Sequence, residues 1–269
     1  MNNKLRELQI TQLEMLKLLD RICKENKLKY SLYAGTLLGA VRHGGFIPWD
    51  DDLDICMLRK DYERFIQIWN ELSINGYILQ NKENTPNFTQ TFTKIRKDHT
   101  TFLQDSKEAN KYHTGIFIDI FPIDRLPPSK IAKFFFKCNA VKYLLFTREH
   151  IPNNSGIIKK LLSRFVLFLC KNKEKARTKA LEQIVKYNHN NEYNFIIVET
   201  FEALNITYPS TLCSSFTTIK FEDFDAMCFS DYTQALSLLY GDYMKLPPES
   251  ERTWKHHPIL LDFNKNYGE

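Results

Sequence analysis

Four aspartates fall within five residues, Asp50-Asp51-Asp52-Leu53-Asp54, and the residues framing them, Trp49, Leu53, Ile55, Met57 and Leu58, are apolar. A solvated acidic turn has no use for such a frame, so the run reads as a strand entering a core. Alternation on a strand sets Asp50, Asp52 and Asp54 on one face and Asp51 and Leu53 on the other. Carboxylates stacked this closely raise one another's pKa unless a cation lies between them. A hard divalent ion with oxygen ligands, Mg2+ or Mn2+, meets that need. Upstream, a short alternating strand over Lys29 to Ala34 is broken by Gly35, and a helix can begin at Thr36. Free N–H groups at a helix start favour phosphate oxygens, and glycine lets a phosphate approach the backbone. A phosphate cradle beside a carboxylate cluster is the arrangement of metal-dependent phosphoryl transfer.

Further elements follow from periodicity. Leu5, Leu8, Met15, Leu16, Leu19, Ile22 and Cys23 recur at helical spacing, which predicts an opening helix over 4–26. A second helix is expected over Arg59 to Ile74, followed by a strand from Tyr77 to Leu79. Thr91 to Arg96 and Thr100 to Leu103 read as a hairpin around Lys97-Asp98, with Lys94 and Arg96 on one strand face, where they could neutralise a phosphate. Gly115 to Pro122 is a nearly unbroken apolar strand holding one acid, Asp119. A buried lone carboxylate needs a cation or strong hydrogen bonds, which makes Asp119 the candidate third metal carboxylate. Asp124, past Pro122, reads as a turn residue. Phe195 to Val198 is a further strand, and Asp231 to Tyr240 a helix capped by Asp231 and stopped by Gly241. His256 and His257 are candidate phosphate or substrate contacts.

Composition sets outer limits. With 269 residues, 43% of them hydrophobic and only nine glycines and ten prolines, the chain is expected to be ordered and compact. The six cysteines are scattered with no zinc-ligand spacing, which predicts reduced core residues in a cytoplasmic protein. The N-terminal stretch lacks the apolar core of a signal peptide. The net charge of +5 is unevenly distributed: Lys130 to Lys179 holds thirteen basic residues against two acids, so the rest of the chain is net negative. That segment also carries Phe134-Phe135-Phe136, Tyr143 to Phe146 and Phe165 to Leu169, runs far short of the roughly 20 apolar residues that span a bilayer. A basic amphipathic helical pair suits an anionic membrane surface, and it equally suits a buried helical subdomain with solvated lysines.

The stretch G-T-L-L-G-A-V-R-H-G-G-F-I-P-W-D-D-D-L-D-I, residues 35 to 55, resembles the hallmark of the LicD family, within the nucleotidyltransferase-fold superfamily. The superfamily pattern is matched by Ala34-Gly35-Thr36, Asp52-Leu53-Asp54-Ile55 and Ile118-Asp119-Ile120, and the tail Tyr240 to Pro248 is also LicD-like. The resemblance implies an α/β (α+β mixed) fold, a nucleotidyltransferase-like mixed β-sheet flanked by helices with an added basic helical subdomain. On this basis 1–127 is the expected catalytic core, 128–192 the basic helical insertion and 193–269 the part that completes the active site. The implied activity moves a phospho-alcohol such as phosphocholine from a CDP-activated donor, CDP-choline, to a hydroxyl of a cell-surface glycan or teichoic acid precursor, and CMP leaves.

For that chemistry Asp52, Asp54 and Asp119 are the expected catalytic and metal carboxylates, with Asp50 a further metal contact and Asp119 or Asp52 the base. Gly35 and Thr36 would cradle the pyrophosphate, and Arg42, Lys94 and Arg96 would neutralise it, with His43 beside Arg42. The acceptor is expected to be lipid-linked, which places the protein in the cytoplasm, peripheral on the inner face of the membrane, with no nucleic acid as partner. The same carboxylates would serve a nucleotidyltransferase that releases pyrophosphate. A non-enzymatic membrane or nucleic-acid binding protein would use the basic segment alone.

Overall fold

The computed structural model describes residues 3–107, 111–148, 163–164, 166–190 and 192–268. Helix α1 (Asn3–Glu25) buries every apolar position its periodicity marks, together with the polar Gln9, Gln12 and Asp20. A six-stranded mixed sheet follows, in the order β1-β2-β6-β4-β3, built from β1 (Ser31–Leu32), β2 (Asp54–Leu58), β3 (Tyr77–Gln80), β4 (Thr93–Lys97) and β6 (Phe117–Arg125), with β7 (Phe195–Ile197) added on β6. Strand β6 is buried along all nine residues, as an apolar run at the centre of a sheet should be. It runs parallel to β2, with Asp54 opposite Asp119, and antiparallel to β4, with Lys94 opposite Asp119. Pro122, which has no N–H to give, falls between the β4 ladder ending at Ile120 and the β7 ladder beginning at Ile123.

Helix α2 (Ala34–His43) ends at Gly44, whose φ of 70° is the left-handed conformation glycine adopts freely. Helix α3 (Arg59–Leu72) packs on β2 and β6. Helices α4 (Lys130–Arg148) and α5 (Lys173–Val185) pack against each other, and α5 also against β6. Their cluster, with Phe136, Tyr143, Leu144, Ile184 and Ile196, is separate from the main core. Lys159, Lys160 and Phe165 of the basic segment lie outside the described residues. The chain then forms the ribbon β8 (Phe216–Phe221) with β9 (Phe224–Phe229), helix α6 (Tyr232–Tyr240), capped by the Asp231 side chain, and β10 (Leu260–Asp262). The mixed sheet flanked by helices is the α/β class expected.

Three local readings are corrected. Asp50 to Leu53 is not strand; β2 begins at Asp54. The loop carbonyls are taken by the opening helix, Gln9 Nε2 donating to Asp50 O at 2.9 Å and Gln12 Nε2 to Asp51 O at 3.1 Å, and the ladder to β6 starts only where Asp119 N donates to Leu53 O at 2.9 Å. The expected hairpin does not form either. Both edges of β4 are occupied by β3 and β6, so β5 (Thr101–Leu103) pairs instead with β10. Asp124 is no turn residue: it lies within β6, buried, and accepts from Arg59 Nε and Nη2 at 2.9 and 2.7 Å.

Candidate active site

The small-residue turn and the acidic loop brace each other. Thr36 Oγ1 accepts from Asp54 N at 2.8 Å, and a Cβ on Gly35 would stand 2.8 Å from an oxygen of Asp50. Gly35 is therefore required for the loop to pack this closely, and the Thr36 hydroxyl holds the first residue of β2 in place. The N–H groups of the first turn of α2 have no partner within the helix.

The sheet register then assembles the carboxylates. Asp54, Asp119 and Lys94 stand side by side across β2, β6 and β4. Lys94 Nζ reaches both Asp119 oxygens, at 2.6 and 2.8 Å, and lies 3.4 Å from the centroid of the Phe117 ring. Burial draws both partners toward neutrality, Asp119 upward and Lys94 downward, and each opposes that shift in the other. Asp50 is pushed up to about 8 by burial and then by Asp52. Asp54 is raised well above the usual carboxylate range by burial and by Asp52, Asp119 and Asp50. Two carboxyls are thus held toward protonation for want of positive charge, an environment into which a divalent cation fits.

Asp51, assigned by alternation to the far face, is fully buried and accepts from the backbone N of Lys255 and His256 and lies 3.0 Å from His256 Nδ1. Against the pull of burial, those hydrogen bonds keep its carboxyl below the ordinary value. The same His256 nitrogen stands 3.7 Å from Asp52. Burial lowers the His256 pKa, yet the Asp51 hydrogen bond and the Asp52 and Asp51 charges outweigh it and leave it raised. Asp51, Asp52 and His256 each offer a ligand atom within 4.8 Å of the others, a group able to hold a metal ion. It shares Asp52 with the expected set and is reached from the tail, not from the next strand.

A cavity of about 280 Å³ opens on Asp52, Asp54, Asp119, Lys94, Arg96 and His256. Arg96 is anchored there by Gln80 Oε1 at 2.7 Å and Gly115 O at 2.8 Å. A second groove, about 440 Å³, reaches the start of the acidic loop at Trp49 and is lined by Gly35, Arg42, Tyr240, Tyr243 and Lys255 among others. Arg42 belongs to this groove, donating to Tyr243 O at 3.1 Å, so it does not share a pocket with Lys94 and Arg96. His43 is exposed with its ring edge-on to Trp49. His257 is exposed with φ 41° and is not among the residues lining the cavity to which its neighbour His256 belongs.

Sequence reasoning missed Asp51, Glu199 and Arg148, which the fold brings to this site. Glu199 and Arg148 line the first cavity, and burial moves the Glu199 carboxyl up to about 7. No motif marks Glu199; only the pairing of β7 with β6 delivers it. For Asp51 the signal was in view, in an acidic run facing a late His-His pair.

Residues 27–153 match the family described as LicD/FKTN/FKRP, nucleotidyltransferase domain. Over 261 residues, 94% of this chain and 96% of the relative, the sequence is 31% identical to the lipopolysaccharide cholinephosphotransferase LicD of Haemophilus influenzae. It is 32% identical over 114 residues to an uncharacterized protein of Rickettsia prowazekii, covering 42% of this chain and 39% of that protein.

Proposed function

The chain belongs to the LicD family, and from that premise we propose that it transfers phosphocholine from CDP-choline to a hydroxyl of a cell-surface glycan or teichoic acid precursor, with release of CMP. The observation that carries this reading is that two cavities of different lining lie near the acidic loop, one beginning at Gly35 and Trp49 and the other holding Asp52 and Asp54. The groove with Arg42, Lys245, Lys255, Trp49, Tyr240 and Tyr243 suits a nucleoside diphosphate, with rings to stack the base and cations to face its phosphates. Arg42 Nε, buried and without a hydrogen-bond partner among the described residues, is a donor available there. The other cavity, with Asp52, Asp54, Asp119 and His256, takes the transferred group and the acceptor.

In the proposed reaction the acceptor oxygen attacks phosphorus in line, and the bond from phosphorus to the CMP oxygen breaks as the new phosphodiester forms. Asp119 is engaged by Lys94, which leaves Asp52 to take the hydroxyl proton. Mg2+ or Mn2+ would be held at Asp52, where Asp51 and His256 offer ligand atoms within reach of one another, while Asp54 and Asp119 of the expected set fall outside that group; when bound it would supply positive charge against the diphosphate. Asp50, packed on Gly35, acts as a brace for the loop. Gly35 and Thr36 present the α2 N-terminus to the donor phosphates. Residues 1–127 form the catalytic core, 128–192 the helical insertion, and 193–269 supply Glu199 and His256.

The acceptor is proposed to be lipid-linked and met at the inner face of a membrane. No helix among the described residues is long and apolar enough to cross one. Instead α4 turns Ile131, Phe134, Phe135 and Val141 outward, at 74%, 64%, 59% and 41% exposure, beside Lys130, Lys137 and Lys142. An apolar stripe edged by lysines suits an anionic lipid surface.

The test is product analysis. Incubation with CDP-choline, Mg2+ and a lipid-linked glycan acceptor is expected to release CMP. Release of pyrophosphate from CTP, with no CMP from any CDP-alcohol, would instead identify a nucleotidyltransferase.

A further inference from the structure

One pleat along from the catalytic row, the same face of the sheet presents a second row. Lys94 stands opposite Asp119, so extending the β4–β6 register by two residues sets Phe92 beside Phe121, and their ring centroids are 4.3 Å apart. Strand β7 continues the same edge of β6 beyond the end of the β4 ladder, and extending its register from Ile123 and Ile197 brings Glu199 to that edge beside Phe92 and Phe121, while Cys56 of β2 stands on the other side of Phe121. Tyr33 closes this side, its hydroxyl donating to Glu199 Oε1 at 3.2 Å and its ring 5.3 Å from that of Phe121. Phe92, Phe121 and Glu199 line the cavity that also holds Asp52, Asp54 and Asp119, with Phe88 and Tyr112 completing an aromatic wall. Two residues of strand separate the rows by about 7 Å. A phosphoester oxygen and a two-carbon arm bridge a gap of that order.

We propose that the Phe92–Phe121–Glu199 row is a head-group subsite that selects a quaternary ammonium on the transferred phospho-alcohol. The proposal rests on the phospho-alcohol transfer reading above. A trimethylammonium has no N–H to donate, so it is recognised through ring faces and a nearby carboxylate. A primary ammonium would need several acceptors directed at it, and a neutral polyol would need donors and acceptors in turn. An aromatic wall with one carboxylate matches the first of these. The cations sharing the cavity are largely engaged elsewhere. Lys94 is held by both oxygens of Asp119, Arg96 binds Gln80 and Gly115 O, and Arg148 Nη2 donates to the backbone carbonyl of Glu199. Burial raises the Glu199 carboxyl to about 7, opposed first by the Tyr33 hydrogen bond and then by the Arg148 charge, so it remains short of positive charge, which a permanent cation could supply.

The experiment compares CMP release from CDP-choline, CDP-ethanolamine and CDP-glycerol by the wild type, Glu199→Gln and Phe92→Leu, each first shown to fold by circular dichroism. The wild type is expected to prefer CDP-choline. Both variants should lower the ratio of kcat/KM for CDP-choline over CDP-glycerol by about tenfold or more, mainly through KM, in keeping with a desolvated cation–π contact. A ratio unchanged in both variants, with all donors slowed alike, would mean the row only supports the sheet and would overturn the proposal. Equilibrium dialysis of phosphocholine separates this failure from failure of the reaction assigned above. Should the wild type release no CMP from any donor, weaker phosphocholine binding by Glu199→Gln still supports the subsite, and equal binding overturns it.

Discussion

Replacing Lys94 by methionine keeps much of the buried volume and removes only the charge from Asp119. The two side chains are each 8% exposed, and a single Nζ serves both carboxylate oxygens. Deleting one partner of such a pair leaves an uncompensated buried charge and costs about 3–5 kcal/mol. At roughly 2–4 °C per kcal/mol for a chain of this size, the melting temperature should fall by roughly 6–20 °C near neutral pH. The loss should also depend on pH. Burial already raises the Asp119 carboxyl and Lys94 opposes it, so the variant's carboxyl stands higher still. A carboxyl raised in the folded state binds more protons there than in the unfolded chain, so its penalty grows as pH rises from the unfolded value near 3.9 toward the folded one. The deficit of Lys94→Met is therefore greatest at neutral pH and shrinks toward pH ~5 by up to about 1.4 kcal/mol per unit as Asp119 protonates. Thermal melts of the wild type, Lys94→Met and the double variant Lys94→Met/Asp119→Asn across this range test the reasoning. The double variant should recover most of the loss, because the two residues form one coupled unit. A neutral-pH deficit under about 2 °C, a deficit independent of pH, or no recovery in the double variant would refute it.

Further outcomes are expected from the site and its surroundings. Asp52→Asn and Asp54→Asn should each cut CMP release by more than about a hundredfold, beyond the range for outer-sphere partners. Asp54→Asn should melt no lower than the wild type, since it removes a carboxylate that burial and its neighbours already disfavour. His256→Ala should lower CMP release by about 10–100-fold by freeing Asp51 beside Asp52, while the exposed His257→Ala stays within about twofold; equal effects of the two would exclude the Asp51 link. Vesicle flotation should show enrichment on anionic over neutral liposomes that Phe134→Ser/Phe135→Ser abolishes, and equal binding of the variant would assign that stripe of α4 another role.

Much of the architecture was legible because it is local. The helical spacing of Leu5 to Cys23, the apolar run around Asp119 and the Asp231 cap each declare an element within a few residues, and each element forms. The acidic loop illustrates the limit. Its composition announced carboxylates in an apolar frame, but its conformation depended on Gln9 and Gln12, which sit on the opening helix and take the loop's carbonyls. Alternation therefore misassigned Asp51. The expected β4–β5 hairpin failed for a related reason: adjacency in sequence favours pairing, but both edges of β4 were already filled.

The amino-acid sequence by itself determined which residues could do the chemistry, since the density of aspartates around an apolar strand, next to Gly35-Thr36, allows few other uses. Tertiary structure alone decided their company. Lys94 meets Asp119 because β4 and β6 pair in one register, His256 reaches Asp51 from 205 positions away, and Glu199 joins Phe121 only once β7 docks on β6. Periodicity records which face of an element is buried. It carries no record of the edge an element docks against, because that is settled by competition among all the strands and side chains for a limited set of hydrogen-bonding partners.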